Sequence, residues 1–154
     1  MDFKEALRTD ILRSIGTKPP IIVEPDATVA DSLSLLKRYK KGCVLVVDQD
    51  KLVGICTERD LMKKIVDPHR LYSTRISEIM TPNPQTLTIT DSIEKIIQLM
   101  HKGGYRHVPI VEQGKLIGYI SVIDVIDYLA ENFPHGIFNL PPIFRQVNTS
   151  QEGA

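Results

Sequence analysis

Hydrophobic and polar residues follow the same order twice along this chain. Each copy begins with a short extended run, Ile21–Val23 or Gln85–Thr88, and a hydroxyl residue able to cap a helix follows it, Thr28 or Ser92. Apolar residues then recur at helical spacing. They are Val29, Leu33, Leu36 and Tyr39 in the first copy and Ile93, Ile96, Ile97 and Met100 in the second. The pattern predicts one amphipathic helix in each copy.

Two apolar runs follow each predicted helix, with turn residues between them, which is typical of a β-hairpin. The runs are Cys43–Asp48 and Lys51–Cys56 around Gln49-Asp50, then His107–Val111 and Lys115–Ile120 around Gln113-Gly114. A second helix is expected to begin at Thr57 or Ser121. Each copy therefore reads as a β-α-β-β-α unit.

The two copies are an internal repeat. Shifting the sequence by 64 positions aligns Ile21–Lys64 with Gln85–Tyr128 without a gap, and eight of the 44 pairs are identical. A unit of this size cannot bury both faces of its sheet, so repeats of this kind pack on one another. We expect an α+β fold in which two pseudo-symmetric β-α-β-β-α repeats pack sheet to sheet, with an additional N-terminal helix.

The segments outside the repeats complete the predicted organisation. Residues 2–15 have Phe3, Leu7, Ile11 and Ile15 on one helical stripe, which Gly16–Pro20 interrupts. We divide the chain into an N-terminal helix and linker at 1–20, repeats at 21–66 and 85–132, a linker at 67–84 and a tail at 133–154. A helical turn is expected at Ile76–Met80, and the last ~10 residues are expected to be mobile.

Composition narrows the function. Lys plus Arg and Asp plus Glu both total 19, so no global field attracts nucleic acid or an anionic membrane. The N-terminus lacks signal-peptide features, and we expect a cytoplasmic protein. Cys43 and Cys56 lie in apolar runs and are expected to be buried free thiols, while the four histidines show no metal-ligand spacing. We predict no metal site and no enzyme activity, because no nucleophile or acid/base pair is apparent.

Candidate chemistry lies where the hairpin meets the second helix of each repeat. Gly54, Thr57 and Asp60 share their spacing with Gly118, Ser121 and Asp124. Helix N-termini offer unpaired N–H groups and a positive dipole end to a phosphate, and an aspartate in the first turn can accept hydrogen bonds from ribose hydroxyls. The same spacing is also that of a capping box, which satisfies only backbone amides. The sequence leaves both readings open.

Neighbouring residues add charge to the second of these positions. Arg106 and His107 start the strand expected beside Ser121, where the first repeat has Gly42 and Cys43. The planar guanidinium of Arg106 is well suited to phosphate, although a solvated surface charge is the more common role of a lone arginine. Arg59 is a further possible phosphate contact, with a solvated helix charge as its alternative.

These stretches resemble the CBS-domain family, named for cystathionine-beta-synthase-type repeats. The resemblance covers roughly residues 15 to 130 and is carried by three stretches and their second-repeat partners. The stretches are residues 26–31 (DATVAD), 44–48 (VLVVD) and 52–60 (LVGICTERD). It implies a Bateman module, in which paired repeats bind AMP, ADP, ATP or S-adenosylmethionine in two clefts. It also implies a homodimer of modules that regulates a partner protein.

The resemblance further implies which residues line each cleft. The first cleft comprises Gly16, Thr17, Ile22, Gly42, Cys43, Arg106, His107, Ile120, Ser121 and Asp124. The second comprises Ile55, Thr57, Asp60, Thr81, Thr86 and Tyr105. Because Gly42 stands where the other cleft has an arginine, the second site is expected to be weaker or different.

An adenine-nucleotide sensor with no required cofactor is therefore the first functional hypothesis. A non-catalytic dimerisation or docking scaffold with empty or degenerate clefts is the alternative. Enzyme activity ranks third. Nucleic-acid binding ranks fourth, since its support is a local basic strip, Lys37–Lys41, that also fits a solvated helix end.

Overall fold

A computed structural model describes residues 2–65 and 67–133 of the chain. Its elements are α1 (Phe3–Thr9), β1 (Ile22–Val23), α2 (Val29–Tyr39), β2 (Cys43–Asp48), β3 (Lys51–Thr57), α3 (Glu58–Lys64), α4 (Ile76–Ile79), β4 (Thr81–Pro82), α5 (Ile93–Gly103), β5 (His107–Glu112), β6 (Lys115–Ser121) and α6 (Val122–Asn132). Short 3-10 turns lie at Leu12–Ser14 and Pro68–Arg70. The mixed helix and strand class is confirmed, and the order α2-β2-β3-α3 of the first repeat recurs as α5-β5-β6-α6 in the second.

The strands form two sheets among the described residues. One has the order β1-β2-β3-β4, with β1 parallel to β2 and the other pairs antiparallel. The other consists of β5 and β6. Both predicted hairpins are confirmed, and their turns need left-handed backbone: φ is 49° and 65° at Gln49 and Asp50, and 50° and 78° at Gln113 and Gly114.

Hydroxyl caps begin the first helix of each repeat, as the sequence predicted. Thr28 Oγ1 accepts from the backbone N–H of Asp31, and Ser92 Oγ from that of Lys95, both at 3.1 Å. Each helix buries the predicted apolar face through residues that include Val29 and Leu36 in α2, and Ile93, Ile96 and Met100 in α5. Tyr39 is the exception, because it is 54% exposed at the last turn of α2.

The described residues divide into two compact units. The first unit contains residues 2–17, 87–108 and 120–133, and the second contains residues 18–65, 67–86 and 109–119. In the second unit, one face of the four-stranded sheet packs against α2, α3 and α4. Its buried cluster is Ile21, Val23, Val29, Leu36, Val44, Val46, Cys56, Leu61, Ile76 and Ile79. In the first unit, α5 packs against α1 and α6.

The expected helix over residues 2–15 is wrong in its extent, because it ends at Thr9. The backbone then leaves helical geometry to bond elsewhere in the first unit. Leu12 N–H donates to the Asp91 carbonyl and Arg13 N–H to the Ile89 carbonyl, both at 2.9 Å. The fully buried residue is consequently Leu12, whereas the predicted Ile11 and Ile15 are half-buried.

The entry to the second repeat also differs from expectation. The predicted extended run Gln85–Thr88 forms only a single-residue bridge at Leu87. The strand added to the sheet is instead β4, where Thr81 pairs with Ile55 and Pro82 with Gly54. Proline is tolerated there because β4 is an edge strand. The helical turn predicted just before it is confirmed as α4.

The predicted mobility of the C-terminal residues falls outside the described residues. Among those that are described, no helix combines the length and the apolar character needed to cross a membrane.

Gly54 lies directly against the Met80 side chain. A Cβ built at Gly54 would overlap Met80 Sδ, so Gly54→Ala should displace this side chain. Because a methionine side chain is flexible and fills irregular space, the loss in the free energy of unfolding should fall at the low end of the ~1–3 kcal/mol typical of overpacking. Urea unfolding measures the loss, which should shrink when Gly54→Ala is introduced into a Met80→Ala background. Equal losses in both backgrounds would show that the Met80 contact is not the cause.

Candidate functional site

The junction between β6 and α6 is closed by hydrogen bonds within the first unit. Ser121 Oγ accepts from the backbone N–H of Asp124 at 3.3 Å. Asp124 Oδ2 in turn accepts from the Ser121 backbone N–H at 2.8 Å and from the Ser121 hydroxyl at 2.9 Å. The predicted hydroxyl and aspartate thus meet in a reciprocal capping box at the start of α6.

The junction between β3 and α3 repeats this arrangement in the second unit. Thr57 Oγ1 accepts from the Asp60 N–H at 3.1 Å, and Asp60 Oδ2 accepts from the Thr57 N–H at 3.0 Å. The preceding strand completes both junctions. The carbonyl of Gly42 accepts from Glu58 N–H at 3.0 Å, and the carbonyl of Arg106 accepts from Val122 N–H at 2.9 Å. Pseudo-symmetry therefore extends to individual hydrogen bonds.

The capping reading of the sequence motif is confirmed, but it does not exclude ligand binding. An ionised carboxylate has two oxygens and about four acceptor positions. The capping contacts of Asp60 and Asp124 converge on Oδ2 in each case. Both side chains are half-buried, so they are held in one rotamer without being sealed from solvent.

Other residues predicted for the first cleft lie in the same unit as Ser121. The bond from Val122 fixes Arg106 beside the first turn of α6. The Arg106 side chain is half-buried and, within residues 2–65 and 67–133, takes part in no ion pair. Thr17 is half-buried, Gly16 is exposed with φ at 80°, and Ile120 is fully buried. His107 is half-buried at the start of β5.

Apart from Tyr105, the remaining residues of both predicted sets belong to the second unit. Ile55 pairs with Thr81, and Cys43 pairs with Thr57, so these positions are adjacent across the sheet. Cys43 and Ile55 are buried in a cluster with Leu45 and Tyr119. Thr86 is half-buried, whereas Ile22 and Arg59 are exposed.

Tyr105 belongs to the first unit and lies against the end of α5. A Cβ built at Gly103 would overlap the Tyr105 ring, so the ring covers that glycine. Its side chain remains 38% exposed. Membership of both predicted residue sets in ligand sites stays a prediction.

Sequence reasoning missed two long-range contacts made by α3 and α6. Lys64 Nζ donates to the Ile79 carbonyl at 2.7 Å, and the Tyr128 hydroxyl donates to Asp10 Oδ2 at 2.8 Å. Lys64 and Tyr128 occupy equivalent places, four residues after Asp60 and Asp124. That equivalence was a signal in the repeat alignment, but the two residue types differ and their partners lie outside the aligned stretches.

Both cysteines are buried free thiols, as expected. Burial raises the pKa of Cys43 to about 12, with smaller contributions from Cys56 and Glu58. Burial likewise raises the pKa of Cys56 to about 12, helped by the Asp60 carboxylate. Neither thiol is a nucleophile at neutral pH, since the thiolate is the reactive form.

The family model described as "CBS domain" matches residues 10–67 and 76–131. The chain belongs to the CBS-domain family and carries two tandem copies of the domain.

This chain is similar to proteins described as CBS domain-containing. It is 32% identical over 103 residues to the CBS domain-containing protein YhcV of Bacillus subtilis, covering 67% of this chain and 74% of the relative. It is 29% identical over 131 residues to CBSCBSPB5 of Arabidopsis thaliana, covering 80% of this chain. The chain spans about a quarter (24%) of the length of that plant relative.

Solved structures share the fold. A crystal structure of CBSX2 in complex with AMP has a TM-score of 0.69 at 23% identity, covering 80% of this chain and 99% of CBSX2. The CBS domain pair of MJ0100, in complex with 5-methylthioadenosine and S-adenosyl-L-methionine, has a TM-score of 0.72 at 24% identity. These matches cover 80% of this chain and 98% of the MJ0100 chain.

The thiols should resist modification until the protein unfolds. Burial disfavours the thiolate in the folded chain and raises both thiol pKa values to about 12. The free energy of unfolding is therefore fully retained below the usual thiol pKa of ~8.5 and falls as pH rises from there towards 12. A disulfide reagent at pH 8 should leave both cysteines unmodified in the folded chain and modify both in urea. A Tyr72→Cys variant, at a position 80% exposed, provides the reactive control. Rapid labelling of Cys43 or Cys56 in the folded protein would contradict this burial.

Proposed function

We propose that this chain is a regulatory module that binds adenine nucleotides and catalyses no reaction itself. AMP, ADP or ATP would bind at the strand-to-helix junctions, with S-adenosylmethionine as a further possible ligand. The bound state would be relayed to a regulated partner protein by a homodimer of modules. The predicted residue sets around Ser121 and Thr57 are the proposed contacts.

The observation that most directly supports this proposal is the fixed position of Asp124 in the first turn of α6. Its carboxylate is held by the Ser121 N–H and hydroxyl at 2.8 and 2.9 Å, so its orientation does not have to be ordered when a ligand binds. Preorganisation of this kind lowers the cost of binding. A carboxylate placed in this way can accept from adjacent ribose hydroxyls, and the N-terminus of an 11-residue helix favours the phosphate.

Relatives and charge support the same proposal. Two proteins that share this fold were crystallised with adenosine compounds, AMP in one and methylthioadenosine with S-adenosylmethionine in the other. Arg106, beside the first turn of α6, offers a planar multidentate donor for a phosphate. The equivalent position in the other repeat is Gly42, which supports unequal affinities at the two junctions.

Asp124→Asn tests the ribose contact while preserving the helix start. An amide oxygen can still accept from Ser121 N–H, but it cannot accept from two ribose hydroxyls as a carboxylate does. We expect AMP to bind about tenfold or more weakly by calorimetry, since a hydrogen bond to a charged group contributes about 1.5–3 kcal/mol.

Two comparisons make this test specific to ribose. Asp127→Asn makes the same charge change at an exposed position on α6 and should leave AMP affinity unchanged. Removing the 2′-hydroxyl, by using 2′-deoxy-AMP, should weaken binding to the natural chain but have little further effect on Asp124→Asn. Equal losses for 2′-deoxy-AMP in both proteins would remove Asp124 from the ribose contact.

The complete capping boxes favour one competing function, a non-catalytic dimerisation or docking scaffold. In that case Asp60 and Asp124 serve only the backbone, and no adenosine compound should change thermal stability. If the chain is a sensor, a ligand at 100 times its Kd adds about 2.7 kcal/mol to the free energy of unfolding. A thermal-shift screen of AMP, ADP, ATP and S-adenosylmethionine separates the two functions, with guanosine monophosphate as the matched purine control.

A further inference from the structure

One face of α6 carries both the proposed ribose contact and a contact to the N-terminal residues. Asp124 and Tyr128 are four residues apart, which places them on the same face about one turn, or ~6 Å, from each other. The Tyr128 hydroxyl donates to Asp10 Oδ2 at 2.8 Å. Burial, together with this carboxylate, raises the pKa of Tyr128 to about 12, so the phenol remains a donor throughout the physiological range.

Asp10 lies in a segment that is fastened to α5 as well. We call residues 3–14 the N-terminal strap. The Asp10 carbonyl accepts from Ile93 N–H at 3.0 Å, at the start of α5, and the Leu12 and Arg13 amides donate to the loop that precedes α5. At the other end of the strap, the Phe3 ring meets the Phe133 ring edge to face at 5.2 Å between centroids.

The first repeat uses the same place on its helix for the same purpose. Lys64, four residues after Asp60, donates to the carbonyl of Ile79 at 2.7 Å. Ile79 ends α4, the segment that leads into the second repeat, just as the strap leads into the first. Tyrosine and lysine have little in common chemically beyond a donor at the end of a long side chain. The shared position and role therefore indicate that fastening the incoming segment is a property of both helices.

We propose that the N-terminal strap is the output element of the sensor, coupled to ligand at Asp124 through α6 and the Tyr128–Asp10 hydrogen bond. This inference rests on the proposed function. A ligand at Asp124 adds contacts to the first turn of α6, and α6 also carries Tyr128, which holds the docked strap. Because coupling free energies are reciprocal, loosening the strap lowers the affinity for the ligand by the same factor by which the ligand stabilises the docked strap.

Hydrogen exchange at the Leu12 and Arg13 amides reports on strap docking, because both donate to the loop before α5. Tyr128→Phe removes the hydroxyl and keeps the ring, which lies 6.3 Å from Phe133 between centroids. Exchange at these amides should rise about tenfold in this variant, the change expected for loss of a hydrogen bond to a carboxylate. Tyr72→Phe, which removes a phenol hydroxyl at a position 80% exposed, is the matched control and should leave exchange unchanged.

The same measurement with AMP tests the coupling. Saturating AMP should slow exchange at Leu12 and Arg13 at least threefold in the natural chain. This protection should be lost in Tyr128→Phe, which should also bind AMP at least threefold more weakly.

Calorimetry on the same samples distinguishes failure of the strap inference from failure of the proposed function. AMP binding without any change in exchange would overturn the strap inference and leave the proposed function standing. Absence of binding by any of the adenosine ligands would overturn both. Unchanged exchange in Tyr128→Phe without ligand would show that this hydrogen bond does not hold the strap.

Discussion

The structure depends on a reciprocal hydrogen-bonded junction where a hairpin strand turns into a helix. At Thr57 and again at Ser121, a hydroxyl accepts from the helix while an aspartate accepts from the strand end. The preceding strand adds a carbonyl to the next amide, from Gly42 or Arg106. Helix N–H groups that would otherwise lack partners are satisfied, and the direction of each helix relative to its strand is set.

This constraint joins stability to the proposed function. The carboxylates that close the junctions are the ones proposed to contact ribose, and the capping bonds hold their rotamers fixed. Under the proposed function, removing a carboxylate would change folding and affinity together, whereas an amide would separate the two effects. The two junctions differ in the charge beside the helix. Arg106 adds a cation beside α6, but Gly42 leaves the equivalent place beside α3 without a side chain.

Side chains four residues further along α3 and α6 make contacts to distant segments. Lys64 holds the end of α4, and Tyr128 holds Asp10. Each helix thus connects a candidate ligand group at its start to a segment from outside its own repeat.

The sequence by itself determined the elements whose signals are local. The apolar runs, the helical spacing and the hydroxyl caps all depend on residues a few positions apart, and the repeat alignment matched Asp60 with Asp124. The tertiary structure decided where the chain bonds to distant segments. It ended α1 at Thr9 because the next amides donate to residues 89 and 91, and it placed Thr81–Pro82 beside β3 in preference to Gln85–Thr88. Such choices depend on which unsatisfied backbone groups the fold brings close, and no local pattern encodes that proximity.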